Sequence, residues 1–167
     1  RASVSAMREL IGFKAYELSG MEAYCVYAAA KYVSQVFYDY GEGFSQENSI
    51  LIHDCFTEEK DVHFTVDVPK GVKQIRIDPC SYRCAVTVKD IAAGEQHFAK
   101  DNITVNGVWA NENCVIFDTE DPNLVFACEG ADRLDVTLEV VELPASLTAR
   151  LIEAVTPKEN GLKRFFH

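Results

Sequence analysis

Asp61-Val62-His63-Phe64-Thr65-Val66-Asp67-Val68-Pro69-Lys70-Gly71-Val72-Lys73-Gln74-Ile75-Arg76-Ile77-Asp78-Pro79 is the stretch that decides the fold. In its first half Val62, Phe64, Val66 and Val68 alternate with His63, Thr65 and Asp67. Successive side chains of a strand point to opposite faces, so this pattern makes one apolar and one polar face. Pro69-Lys70-Gly71 is a turn signal. Alternation then restarts, with Lys73, Ile75 and Ile77 set against Val72, Gln74 and Arg76. Pro79 ends it, because proline cannot donate to a central ladder. Half-buried strands with one wet face are typical of antiparallel sheets.

The same pattern continues in both directions. Upstream, Val33–Tyr40 is rich in Val, Phe and Tyr and stops at Gly41-Glu42-Gly43, and Ser49–Cys55 is short and apolar. Downstream, Cys84–Ile91 alternates and closes at Ala93-Gly94-Glu95. Ile103–Val105 precedes Asn106-Gly107, a hairpin dipeptide because both residues tolerate positive φ. Cys114–Phe117 and Leu124–Cys128 flank the turn from Asp118 to Asn123, and Leu134–Val141 is the last strand before Pro144. Val62, Phe64, Val66, Val86, Val88, Val136 and Leu138 are expected to point inward.

Helical spacing lies outside this run. Met7, Leu10, Ile11, Leu18, Met21, Cys25 and Ala28 recur every three or four residues, as do the apolar residues of Leu147–Val155. The expected fold is mainly β: an antiparallel β-sandwich, jelly-roll-like, with flanking N- and C-terminal helices. The expected divisions are a helical segment over 1–32, the sandwich over 33–143 and a helical segment or linker over 144–167. The chain begins at Arg1 and is taken as a module of a larger protein.

The 26 acidic residues outnumber the 16 basic ones, for a formal charge of −10. Nucleic acid and anionic lipid need concentrated Lys and Arg, so neither is expected as a partner. No apolar run reaches the ~20 residues of a membrane-spanning helix, and no membrane insertion is expected. Of the six cysteines, Cys84 and Cys128 fall at inward strand positions, where a free thiol acts as a small apolar residue. Reduced, unpaired cysteines favour the cytoplasm.

Catalytic signals are absent from the sequence. No phosphate loop and no Gly-x-Ser-x-Gly elbow occurs. His53, His63, His97 and His167 stand in no recognisable nucleophile–base signature, so no catalytic residue is assigned. His53, Cys55, Cys80 and Cys84 are zinc-type ligands, but Cys84 falls inside a strand and structural zinc pairs favour a tight knuckle. Asp118, Glu120 and Asp121 present oxygens suited to Ca²⁺ or Mg²⁺, yet Asp121-Pro122-Asn123 is also a self-bonded turn. No metal and no cofactor is expected. Trp109, the single tryptophan, lies among Asn106, Asn111 and Asn113. An exposed Trp beside amides suits a sugar, the ring stacking on the apolar face while amides bond hydroxyls; the other reading is a ring capping the core edge. Trp109, with Asn106 and Asn111, is the candidate ligand-binding set.

Phe37-Tyr38-Asp39-Tyr40-Gly41-Glu42-Gly43-Phe44-Ser45, the segment Val68–Pro79 with its P-x-G-V-x-x-I-R-x-D-P pattern, and Glu120-Asp121-Pro122-Asn123 carry a resemblance. They resemble an accessory β-sandwich domain of bacterial family 2 glycosyltransferases and rhamnan-synthesis-type polysaccharide assembly proteins, over roughly Val33 to Leu143. The resemblance implies a non-catalytic carbohydrate-binding or scaffolding module in cell-surface polysaccharide synthesis. Its implied partners are a glycan and a neighbouring catalytic domain of the same chain. The alternative is a purely structural protein-interaction β-domain without a sugar site.

Overall fold

The computed structural model describes residues 31–58 and 60–157. The helical segment expected over 1–32 lies, but for its last two residues, outside them. Twelve strands are present among the described residues. They are β1 (Ser34–Asp39), β2 (Ser49–Ile52), β3 (Phe56–Thr57), β4 (Asp61–Asp67), β5 (Gln74–Asp78) and β6 (Cys84–Ala93). Then come β7 (Gln96–His97), β8 (Thr104–Val105), β9 (Val108–Trp109), β10 (Cys114–Phe117), β11 (Leu124–Ala127) and β12 (Arg133–Glu142). One helix, α1 (Ala145–Val155), follows Pro144.

All pairings are antiparallel. Sheet A has the order β2-β1-β5-β11-β8, and sheet B the order β3-β4-β12-β6-β10-β9, with β7 beside β6. The arrangement is sandwich-like, and one apolar core draws on both sheets. Ile75, Ile77, Leu124 and Phe126 enter it from sheet A, and Val62, Phe64, Val86, Val136 and Leu138 from sheet B. Phe98 and Phe126 meet there with ring centroids 4.3 Å apart. The inward set expected from alternation is buried, Val66 partly so.

The deciding stretch divides between the two layers. β4 pairs with β12 in sheet B, whereas β5 sits between β1 and β11 in sheet A. Pro69–Gly71 therefore turns the chain from one sheet to the other. Gly71 has φ +87°, a left-handed conformation that glycine adopts without steric cost.

Asn106-Gly107 is not a hairpin turn. β8 pairs with β11 in sheet A, and β9 pairs with β10 in sheet B, so the dipeptide carries the chain across the sandwich. Neither residue has a positive φ. Glycine is needed at 107 for a different reason: a Cβ there would lie 2.6 Å from the Ile116 carbonyl and 2.7 Å from the Phe117 ring. The backbone passes too close to β10 for any side chain.

The outer face of sheet B is wet except where α1 lies over β10, and there Ile116 is buried. The outer face of sheet A is drier. Gln35, Phe37 and Asp39 of β1 are all buried on it. The β1–β2 connection folds back over this face, and Gln35 Nε2 donates to Gln46 Oε1 at 3.0 Å and to Ser49 Oγ at 2.8 Å. No described helix is long and apolar enough to cross a membrane.

Candidate functional site

The acidic turn between β10 and β11 organises the polar chemistry at one end of the molecule. Arg83, just before β6, donates to Asp118 Oδ1 at 3.0 Å and to Glu120 Oε1 at 3.4 Å. Arg76 of β5 reaches Asp121 from the other side, Nη2 lying 3.1 and 3.0 Å from its two carboxylate oxygens. Each acid of the expected cluster is thus matched by an arginine. Among the described residues no group of three or more His, Cys, Asp and Glu is placed to hold a metal ion.

Arg76 and Asp78 are two residues apart on one strand, so they share a face. Nε of Arg76 donates to Asp78 Oδ1 at 2.6 Å, and Nη2 to Oδ2 at 2.8 Å. The guanidinium lies 5.0 Å over the Phe37 ring, which its cross-strand register places directly opposite. Burial pushes the Asp78 carboxyl up to about 6, against the opposing pull of Arg76. Asp121 is the open member, its side chain 69% exposed.

Asn106 joins this network. Its Nδ2 donates to the Asp121 carbonyl at 2.8 Å, and its Oδ1 accepts from the Asn123 backbone N–H at 2.9 Å. Asn106, Asp121, Arg76 and Asp78 are thus linked by hydrogen bonds, through the Asp121 backbone at Asn106 and through its carboxylate at Arg76, whose guanidinium lies over Phe37. Such groups can bond adjacent hydroxyls through paired donors and acceptors. Two-residue spacing is the signal that could have found the Arg76–Asp78 pair, but alternation read to Ile77 leaves Asp78 outside the strand. Nothing local announced Asp121 as their partner, 45 positions away from Arg76.

The other two members of the expected set make contacts different from those of Asn106. Asn111 Oδ1 accepts from the backbone N–H groups of Asn113 and Cys114, at 3.0 and 2.8 Å, and so closes its own turn. Trp109 is the register partner of Val115, which is fully buried. Partners in register share a face, so the ring faces the core side at the edge of sheet B, where it packs against the core partly buried.

Three further features resolve in structural terms. Asp39 Oδ1 accepts from the N–H groups of Gly41, Glu42 and Gly43 at 2.6, 2.9 and 2.8 Å. The bond from Gly41 is the first cause holding its carboxyl below the usual range. His63 is exposed, as its alternation requires, with Nδ1 3.1 Å from Thr137 Oγ1. The five described cysteines are free, Cys84 and Cys128 buried as expected, and the Sγ of Cys84 lies 3.5 Å from that of Cys80. Comparison with protein-family models, curated proteins and solved structures gives no match.

Proposed function

We propose that the chain is a non-catalytic binding or scaffolding module of a bacterial glycosyltransferase-type protein in cell-surface polysaccharide synthesis. Its ligand face is the Asn106–Asp121–Arg76–Asp78 patch, and its ligand a neutral, hydroxyl-rich glycan. The observation that carries this reading is the patch itself, in which the Arg76 guanidinium bonds the carboxylates of Asp78 and Asp121 and the Asn106 amide bonds the Asp121 carbonyl, with Asp121 open. The strand order supports a jelly-roll-like sandwich. The connections β4–β5, β5–β6, β10–β11 and β11–β12 each pass between sheets. Free thiols favour a cytoplasmic setting. Trp109 stays in the reading as a rim aromatic, with Asn111 shaping the adjoining turn.

A second reading is a structural interaction domain without a sugar site. It is favoured by the same bonds, since each polar group of the patch already has a protein partner. Titration of the labelled chain with a rhamnose oligosaccharide, followed by amide shifts, separates the two. Weak, saturable shifts at Asn106, Arg76 and Asp121, lost in Asp121→Ala, support the glycan reading. Weak binding is expected because a small surface must offset the cost of ordering the sugar. Absence of shifts at millimolar sugar leaves the structural domain.

A further inference from the structure

Cys80 and Cys84 bracket the short segment by which the chain leaves β5 in sheet A and enters β6 in sheet B. Their sulfurs are 3.5 Å apart, and Cys80 Sγ is also 3.5 Å from the Tyr82 carbonyl. Cys84 is fully buried, and Cys80 is 4% exposed. Both are free thiols. A disulfide needs its sulfurs about 2.05 Å apart, so closure asks for a shift of about 1.5 Å. The intervening residues, Ser81, Tyr82 and Arg83, are half-buried and belong to no strand, so the adjustment falls on irregular backbone.

We infer that Cys80 and Cys84 are a reversible disulfide-forming pair, oxidised by low-molecular-weight disulfides, whose closure locks the crossover between the two sheets. The contact with Cys80, and then burial, pushes the Cys84 thiol up. Cys80, the less buried of the two residues, is therefore the attacking one. Its thiolate displaces one thiolate from the small disulfide and forms a mixed disulfide on Cys80. Cys84, losing its proton to solvent, then attacks the Cys80 sulfur and releases the second thiolate. Two protein thiols are oxidised and one small disulfide is reduced to two thiols.

The test incubates the whole chain with oxidised glutathione, then unfolds it in an alkylating agent and maps each cysteine by peptide mass. The expected product has Cys80 and Cys84 joined, two hydrogens lighter and unalkylated, and dithiothreitol restores both thiols. Its melting midpoint should exceed that of the reduced chain, and this rise should vanish in Cys80→Ala and in Cys84→Ala. The inference is overturned if both residues are alkylated while the half-buried Cys114 has taken up glutathione. It is equally overturned if glutathione remains on Cys80 as a stable mixed disulfide. The mass map on the unsubstituted chain decides the matter even if an alanine variant fails to fold.

Discussion

Asp78 couples the ionisation of one carboxyl to the stability of sheet A. Its value rises from 3.8 to about 6 because burial disfavours the anion. A raised value in the folded state means that the fold binds the proton more tightly than the unfolded chain does. The stabilisation is complete below pH 3.8 and is lost as pH climbs to about 6. Asp39, Asp61 and Asp135 are lowered, so their contributions fade only as pH falls below the usual carboxylate range. The windows do not overlap. The unfolding free energy of the natural chain relative to Asp78→Asn should therefore decline between pH 3.8 and about 6, by on the order of 2 kcal/mol, and then level off. Denaturant titrations at several pH values check this; a difference rising over that interval would mean that the Arg76 pairing outweighs burial. Trp109 makes a separate forecast. With its ring at the core edge, Trp109→Ala should cost about 2–3 kcal/mol, less than a fully buried Trp would. An unchanged midpoint together with loss of oligosaccharide binding would instead make the ring an exposed platform.

At the scale of elements, the strands that alternation could reveal are the ones that bury a row of side chains. β4, β5, β10, β11 and β12 fall within a residue or two of their expected bounds. β3, β7, β8 and β9 are two residues long and show no period at all. β6 hides a subtler feature. Its register with β12 shifts between Thr137 and Leu138, so Lys89 has no opposite number. The bulge turns Lys89 outward to Asp61 at 2.8 Å and Glu139 at 3.3 Å, and resets the inward series from Val88 to Ile91. A strict two-residue count cannot see this. Asn106-Gly107 was misread for a related reason: turn chemistry is local, whereas the sheet a strand joins is settled by distant partners. Close passage over β10, not positive φ, is what holds glycine there, and it yields a sharp expectation. Gly107→Ala must move backbone, since its Cβ would meet the Ile116 carbonyl at 2.6 Å. It should cost about 1–3 kcal/mol, as overpacking does, although alanine is an acceptable residue for ordinary extended chain. A melt of Gly107→Ala matching the natural protein would show that the crossover is looser than this. The candidate patch was legible only in pieces: Asn106 stands out as an amide near Trp109 and Asp121 as one of three clustered acids, whereas their meeting with Arg76 and Asp78 depends on pairings between distant strands.

For the whole molecule, the positions of the first and last described strands matter most. β1 lies inside sheet A between β2 and β5, and β12 lies inside sheet B between β4 and β6. Each sheet thus takes an interior strand from one end of the described chain, and the core between the sheets is not closed until both strands have arrived. β12 pairs across 74 positions at His63–Thr137, and the shared core leaves no sheet with an apolar face of its own to bury separately. Contacts so remote in sequence must close long loops before burial rewards them, which slows folding. Refolding followed by Trp109 fluorescence should therefore be single-exponential and in the millisecond-to-second range, apart from phases due to proline isomerisation. Native-state hydrogen exchange should show β1, β5, β6 and β12 opening together at the global free energy, with β2, β3, β8 and β9 exchanging earlier from the margins. A chain ending at Gly130 tests the same point more severely. It loses β12, and with it Leu134, Val136, Leu138 and Val140 from the core and the strand that joins β4 to β6. Such a chain should lack a cooperative melt altogether. If it kept a native-like sheet A with protected β1 and β5 amides, the two sheets would be separable units.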